Sequence, residues 1–419
     1  MRLLTPVLLV VCAEMKSTSC RRSFYTEEMH GFRVRQLAPR ALRVLDMQDF
    51  HSLRGAREAA ARAGASAAEV LAAWPDASAP DCLRELASIH RSDLTLVCSP
   101  DEMRMLRERY CVPDSKLALA PLFYPPSPYD PANAGGAGAL SSCPGFEKRR
   151  NVAMVGNWRH APNMDSVHQA LALWPAARAA IAAASPDEPP PELHLFGAYP
   201  PGSAAQQFHR PKEGIQFKGW APSLDIMLQY RLLLAPLRFG AGLKGKVGDA
   251  WWHGLPVVTT PVGAEGMTDA SGRGGATEAA AAAAAGAAAG AADPAAEGAA
   301  WHTSPPGGSG GSAVAWGGLI SGSGSAEELA ADAARLYTDP ALWSACQAQG
   351  FRLLRASFDC DAALAAVRSA LLPALGDLEQ RRRADYYGQL LWQANARSTE
   401  FMSRYIELKE GLREQAGRT

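Results

Sequence analysis

The chain has 419 residues, enough for two domains that each bury a core of their own. Lys plus Arg total 42 and Asp plus Glu total 42, which excludes the broad basic footprint of a nucleic-acid or anionic-membrane binder and leaves any anionic ligand to be held locally. Cys12, Cys20, Cys82, Cys98, Cys111, Cys143, Cys346 and Cys360 are scattered, with no CxxC pair and no Cys/His grouping at zinc spacing, so neither a metal centre nor a disulfide framework is expected.

The chain opens with an apolar run, Leu3 to Val11, behind Arg2. It is too short to span a bilayer. It reads either as the apolar core of a secretory signal, with Ala13 as a small residue behind it, or as a buried strand. With no cysteine framework to ask for an oxidising compartment and no integral membrane span, the expected location is cytoplasmic, and the secretory reading stays open.

From Leu42 onward, short apolar runs alternate with Ala-rich amphipathic stretches, the pattern of parallel sheets covered by helices, so the fold class is α/β. Leu42–Leu45, Leu94–Cys98 and Leu117–Leu122 read as strands, with helical material at Gly55–Ala73 and Pro100–Tyr110 between them. Three strands fall short of the six of a full nucleotide-type domain, so residues 1–125 are expected to form an incomplete one. Pro125-Pro126-Ser127-Pro128 and Ala132–Leu140 have linker composition, which sets a linker at 126–148.

A second domain, 149–375, opens with the strand Asn151–Gly156 and continues through strands at Leu193–Phe196, Ile215–Lys218, Leu232–Ala235 and Val257–Thr259 with helices between them, a doubly wound pattern. Residues 270–315 are nearly all Ala, Gly, Ser and Pro around the run Ala279–Ala285. They read as a disordered low-complexity insert in a surface loop, where added length has little entropic consequence. Ala326–Tyr337, Pro340–Ala356 and Cys360–Leu372 then read as helices. In the tail, 376–419, Phe401, Tyr405, Leu408 and Leu412 fall three or four apart and give a last helix one apolar face.

The segment richest in chemistry runs from Pro236 to Gly266. A strand enters a turn containing Gly240 and Gly242, a helix begins near Leu243 and ends at Gly254, and another strand follows. Backbone amides at such a turn form an anion site. Lys244 and Lys246 add positive charge beside it, as a diphosphate requires, although lysine at a helix start opposes the helix dipole. Asp249, one turn further, is in reach of sugar hydroxyls.

This stretch, with Gly240-Ala-Gly-x-Lys-x-Lys246, then "GLPVV" and "TPVGAEG", resembles the donor-binding core of the group 1 glycosyltransferases. The resemblance extends over Asn151–Met267 and Ala326–Leu372, and over Phe24–Leu122 for the acceptor side. It implies two Rossmann-like domains of the GT-B kind. Val155-Gly156-Asn157-Trp158-Arg159 is similar to the family's turn facing the diphosphate. Relatives carry Arg and Lys where this chain has Asn157 and Asn163, so Arg159, Lys244 and Lys246 are expected to supply the charge, with Asn163 as a helix N-cap. Asp249 matches the second acid of the family's Glu-x7-Glu motif, and the first falls on Ala241. Gly219-Trp220-Ala221-Pro222 resembles the loop that contacts the base, and Glu265 is a further ligand candidate near the donor.

On the acceptor side, Leu45-Asp46-Met-Gln48-Asp49-Phe-His51 resembles the family's strand end, with Gln48 where relatives place a catalytic histidine. His51 and Asp49 are the nearest substitutes, and both also suit a helix start. Nothing before Phe24 resembles the family's opening strand and glycine loop, so a truncated acceptor domain is expected. By resemblance the chain transfers a sugar from a nucleotide diphosphate donor to an unknown glycan, lipid or protein acceptor, with retention of configuration, no cofactor and no metal. The alternatives are a catalytically inactive nucleotide-sugar-binding remnant and a sugar-nucleotide epimerase on the same fold.

Overall fold

The structure, a computed structural model, describes residues 9–12, 23–133, 143–268, 314–394 and 405. Leu3 to Leu8 of the opening apolar run, the linker residues 134–142, nearly all of the expected insert, and Phe401, Leu408 and Leu412 of the tail lie outside the described residues. The chain divides into two compact units: Met1–Ser52 with Asp76–Ala120 and Ala365–Thr419, and Leu53–Pro75 with Pro121–Leu364. Among the described residues no helix is long and apolar enough to cross a membrane.

The first unit holds a four-stranded parallel sheet whose strands follow chain order: β1 (Leu9–Cys12), β2 (Leu42–Asp46), β3 (Leu94–Val97) and β4 (Leu117–Leu119). β1 is the strand alternative for the opening apolar run, and its Leu9 stands opposite Leu42 of β2. Leu42, Val44, Leu94 and Ala118 form a core with Ala374 and Leu378 from the far end of the chain. Asp93, just before β3, is gripped by Arg43 and Arg382; burial alone would raise its carboxyl, but these two arginines bring it down to about 2.

Helical material expected over Gly55–Ala73 is split into α2 (His51–Arg62) and α3 (Ala67–Ala72), after α1 (Ser23–Leu37). The restart has a local cause: Ser66 and Glu69 form a reciprocal capping box, which satisfies two backbone N–H groups at the start of α3.

The second unit is built on a six-stranded parallel sheet: β5 (Arg150–Asn157), β6 (Leu193–Ala198), β7 (Ile215–Gly219), β8 (Tyr230–Ala235), β9 (Val257–Thr259) and β10 (Gly318–Ile320). Their spatial order is β10-β9-β8-β5-β6-β7, the doubly wound dinucleotide-fold order. Both faces are covered, so the strands are apolar throughout rather than alternating. Val152, Met154, Leu232 and Leu234 face a cluster containing Trp174 and Trp343, whereas Ala153, Leu233 and Ala235 face one containing Trp251 and Trp316. β10 was not expected from sequence. Its approach is tied to the far side of the insert, since Trp316 Nε1 donates to Met267 O at 2.7 Å.

Candidate functional site

In the second unit the chain winds outward from β5 in one direction and from β8 in the other, so the carboxyl ends of these neighbouring strands flank a crevice. A cavity of about 540 Å³ lies there. Gly156, Asn157 and His160 line it from the turn after β5, and Gly240, Lys244, Lys246 and Asp249 from the turn after β8. Trp220, from the turn after β7, lines it while remaining 68% exposed, an aromatic face open to a planar ligand.

The turn after β8 brings its lysines inward. Gly242 sits at φ +64°, a backbone conformation that side-chain-bearing residues avoid. Lys244 immediately precedes helix α8 (Gly245–Trp252) and is buried. Its Nζ donates to Gly242 O at 2.6 Å and lies 3.9 Å from Glu265 Oε2. Lys246 Nζ donates to Asn163 Oδ1 at 2.6 Å. Desolvation, with Lys244 beside it, lowers the Lys246 pKa to about 8. Two desolvated cations at a helix start oppose both the dipole and each other, and an anionic ligand relieves both penalties.

Asn163 was expected to cap a helix. It is instead the third residue of α6 (Ala161–Ala184), whose N-cap is His160. Its amide bridges the two turns: Nδ2 donates to Asn157 O at 3.0 Å and Oδ1 receives Lys246. The proline at the second helical position, Pro162, shifts the start by fitting the first turn, where a missing N–H goes unnoticed.

One turn beyond Lys246, burial raises the Asp249 carboxyl to about 6, against the opposing pull of a hydrogen bond with Tyr124. Tyr124 Oη lies 3.2 Å from Asp249 Oδ1 and 3.0 Å from Gly245 O. The ring approaches so closely that a Cβ on Gly248 would stand 2.4 Å from Oη. Tyr124 was not singled out in the sequence, since a tyrosine before two prolines carries no motif. The neighbouring proline-rich passage packs onto the same unit, with Trp252 Nε1 donating to Pro125 O at 2.9 Å.

The other sequence candidates fall elsewhere. Arg159 is exposed and stands over the Tyr199 ring, 4.5 Å from its centroid, and is not among the residues lining the cavity. Glu265 is also outside the lining; both its oxygens receive the Arg57 fork, at 2.6 and 2.7 Å. In the first unit, His51 begins α2 and is buried, with Nδ1 3.2 Å from Glu85 Oε1 and 3.5 Å from Asp49 Oδ1. Glu85 also accepts from the backbone N–H of His51 at 2.8 Å and of Ser52 at 3.0 Å. The carboxylate that caps α2 is therefore Glu85, remote in sequence, rather than Asp49. Among the described residues no cluster of His, Cys, Asp or Glu is arranged to hold a metal ion.

Residues 149–292 match the family model described as glycosyl transferases group 1. No curated protein matches the chain. Among solved structures, TarM from S. aureus, in a complex with fondaparinux, alpha-GlcNAc-glycerol and UDP, is similar at 9% identity and a TM-score of 0.45, over 69% of this chain and 46% of its own. Sucrose-phosphate synthase from Thermosynechococcus elongatus is similar at 16% identity and 0.48, over 86% and 72%. HepE from Anabaena, in complex with UDP and glucose, is similar at 12% and 0.47, over 87% and 77%. The chain thus spans less than half the length of the TarM structure. The family match falls on the strands and turns that build the switch-point cavity.

Proposed function

We propose that the chain transfers a sugar from a nucleoside diphosphate sugar to an acceptor, with the donor held in the switch-point cavity. One observation carries this reading: Lys244 and Lys246 are pressed together, desolvated, on the turn where a doubly wound sheet receives phosphate groups. Their charge would stabilise the departing diphosphate as the glycosidic bond to it breaks, in a site with little water to screen them. Asp249 would accept hydrogen bonds from ribose hydroxyls, and Trp220 would stack on the base. Two fixed lysines at the leaving group do the charge balancing that a divalent ion does elsewhere, which supports a metal-independent reaction. Retention of configuration comes with the family resemblance.

A second reading, nucleotide-sugar binding without turnover, is favoured by Ala241, which lines the cavity where the resemblance calls for an acid, and by the burial of His51 against Glu85. Incubating the chain with UDP-glucose, UDP-GlcNAc, GDP-mannose and ADP-glucose, with and without EDTA, separates the two. Release of free nucleoside diphosphate that survives EDTA supports metal-independent transfer or hydrolysis. Binding without release supports the second reading, and failure to bind any of the four removes both.

A further inference from the structure

A second cavity, of about 180 Å³, lies in the second unit and shares no lining residue with the switch-point cavity. Its wall comes from the proline-rich passage between Tyr124 and Asn133, from Trp252 at the end of α8, and from the end of the helix Pro340–Ser357 with Asp359 just behind it.

The polar groups of this wall are only partly used. Asp130 is buried and pairs with Arg355 Nη1, which cancels those two charges, while its other oxygen accepts from Ala132 N–H at 3.0 Å. Among the described residues, Nε and Nη2 of Arg355 have no partner. Asp359 Oδ1 accepts from Ala362 N–H at 2.8 Å, and Oδ2 is left over. Asn133 donates from Nδ2 to Ser127 O at 3.0 Å, and its oxygen is left over. The rings differ in kind. Trp252 Nε1 is spent on Pro125 O and the Tyr124 hydroxyl on Asp249, so what these two add to the wall, with Phe351, is apolar ring surface.

These features narrow the ligand. A purely apolar molecule would leave the fork and the two acceptors without partners. One more acid than base in the wall disfavours a phosphate. The volume, a third of the switch-point cavity, is small for a nucleotide sugar. A neutral ring bearing several hydroxyls suits what is left, since each hydroxyl both donates and accepts, and the ring carbons can lie on aromatic surface.

We propose that this cavity is a second carbohydrate site that takes one neutral pyranose unit. Its hydroxyls donate to Asp359 Oδ2 and Asn133 Oδ1 and accept from the Arg355 fork, and its carbon face lies on the aromatic wall. The site does not depend on the nucleotide reading of the switch-point cavity, so the two fail separately.

Saturation-transfer NMR on the full chain, with methyl α-glucopyranoside, methyl α-mannopyranoside, methyl β-galactopyranoside and N-acetylglucosamine, tests it, with cyclohexanol as a ring lacking the hydroxyl pattern. The expected result is millimolar binding of at least one sugar, with cyclohexanol about tenfold weaker. For the tightest sugar, Arg355→Gln and Asp359→Asn each weaken binding about fivefold, while Lys246→Met, in the other cavity, leaves it unchanged. The asparagine keeps an oxygen for Ala362 N–H, and thermal melts check that both variants fold; if one melts below wild type, the other decides. Failure to bind any of the four sugars overturns the proposal, as does cyclohexanol binding equally well. Affinity unchanged in the folded variants, or lost only with Lys246→Met, places the sugar elsewhere and overturns it too.

Discussion

Two strand ends in this protein hold their polar residues in opposite states. At the carboxyl end of β8, two lysines are desolvated side by side, and Lys246 is held by a neutral amide. At the carboxyl end of β2, the polar groups close on one another: Glu85 takes the N–H groups of His51 and Ser52, the Ser52 hydroxyl and one side of the His51 ring, while Glu102 takes the N–H of Phe50. In the first arrangement burial and the neighbouring lysine disfavour the Lys246 charge, which an anion would favour. The second is complete as it stands. A desolvated ammonium at a cavity wall points to a ligand, whereas a closed network of polar groups points to architecture.

Removing one lysine is the strongest way to break that contrast. Lys246→Met is expected to lower nucleoside diphosphate affinity about a hundredfold and to raise the melting temperature of the ligand-free chain, because a desolvated ammonium is lost. The sign follows from the lowered pKa: the folded state disfavours the charged lysine, in full below about pH 8, and the penalty fades as pH climbs toward the ordinary lysine range. Calorimetry and thermal melts at pH 7 check both halves. A variant that binds as before, or that melts lower, would place Lys246 with the closed networks.

The complementary change is Glu85→Ala. It strips the cap from α2 and orphans buried donors, with an expected loss of about 2 to 4 kcal/mol in the stability of the first unit. Denaturant unfolding followed by hydrogen exchange in β2 and β3 locates the loss, while nucleotide affinity is expected to stay within about twofold of wild type. A large fall in affinity without a fall in stability would instead make the Asp49–His51 corner part of the chemistry.

The contrast also explains which features were legible in advance. The second sheet was readable because its strands are buried on both faces and therefore appear as unbroken apolar runs, and because glycines and lysines cluster in one short turn. Lys244, Lys246 and Asp249, which stand out by their spacing, and Gly156, which stands out by the family resemblance, all line the cavity. What escaped were partners distant in the chain. Nothing local to Tyr124 announces a bond to a residue 125 positions away, and nothing in the helix carrying Glu85 announces that it caps α2. Asn163 was misjudged because helix capping is a local rule, and Pro162 moved the helix start by a few residues. β10 is a three-residue strand behind a long low-complexity stretch, too short for any periodicity to show.

Titration sharpens the comparison further. On the proposed reading of the cavity, a donor diphosphate needs Lys246 protonated, which fails above about pH 8, and ribose hydroxyls need Asp249 ionised, which fails below about pH 6. Affinity for a nucleotide sugar is therefore expected to be bell-shaped, falling up to about tenfold per unit on either side of that window. The ligand must be the nucleotide sugar rather than the free diphosphate, whose terminal phosphate loses its last proton near pH 6 and would mask the acid limb. A profile flat from about pH 5 to 9 would mean that neither group touches the ligand.

The smallest effect expected is also the most specific. Tyr124 lies in the passage that composition marked as the edge of a linker, yet its hydroxyl is within 3.2 Å of Asp249 and is the one bond that holds that carboxyl's pKa down against burial. Removing the hydroxyl while keeping the ring, Tyr124→Phe, leaves the packing against Gly248 intact. The Asp249 carboxyl should then rise further. The prediction is an acid limb displaced upward by about half a unit, a basic limb unmoved, and affinity near pH 7.5 reduced by less than about threefold. Displacement of both limbs would mean that the ring had shifted the whole turn. An unmoved acid limb would detach Asp249 from the ligand while leaving the lysines where they are.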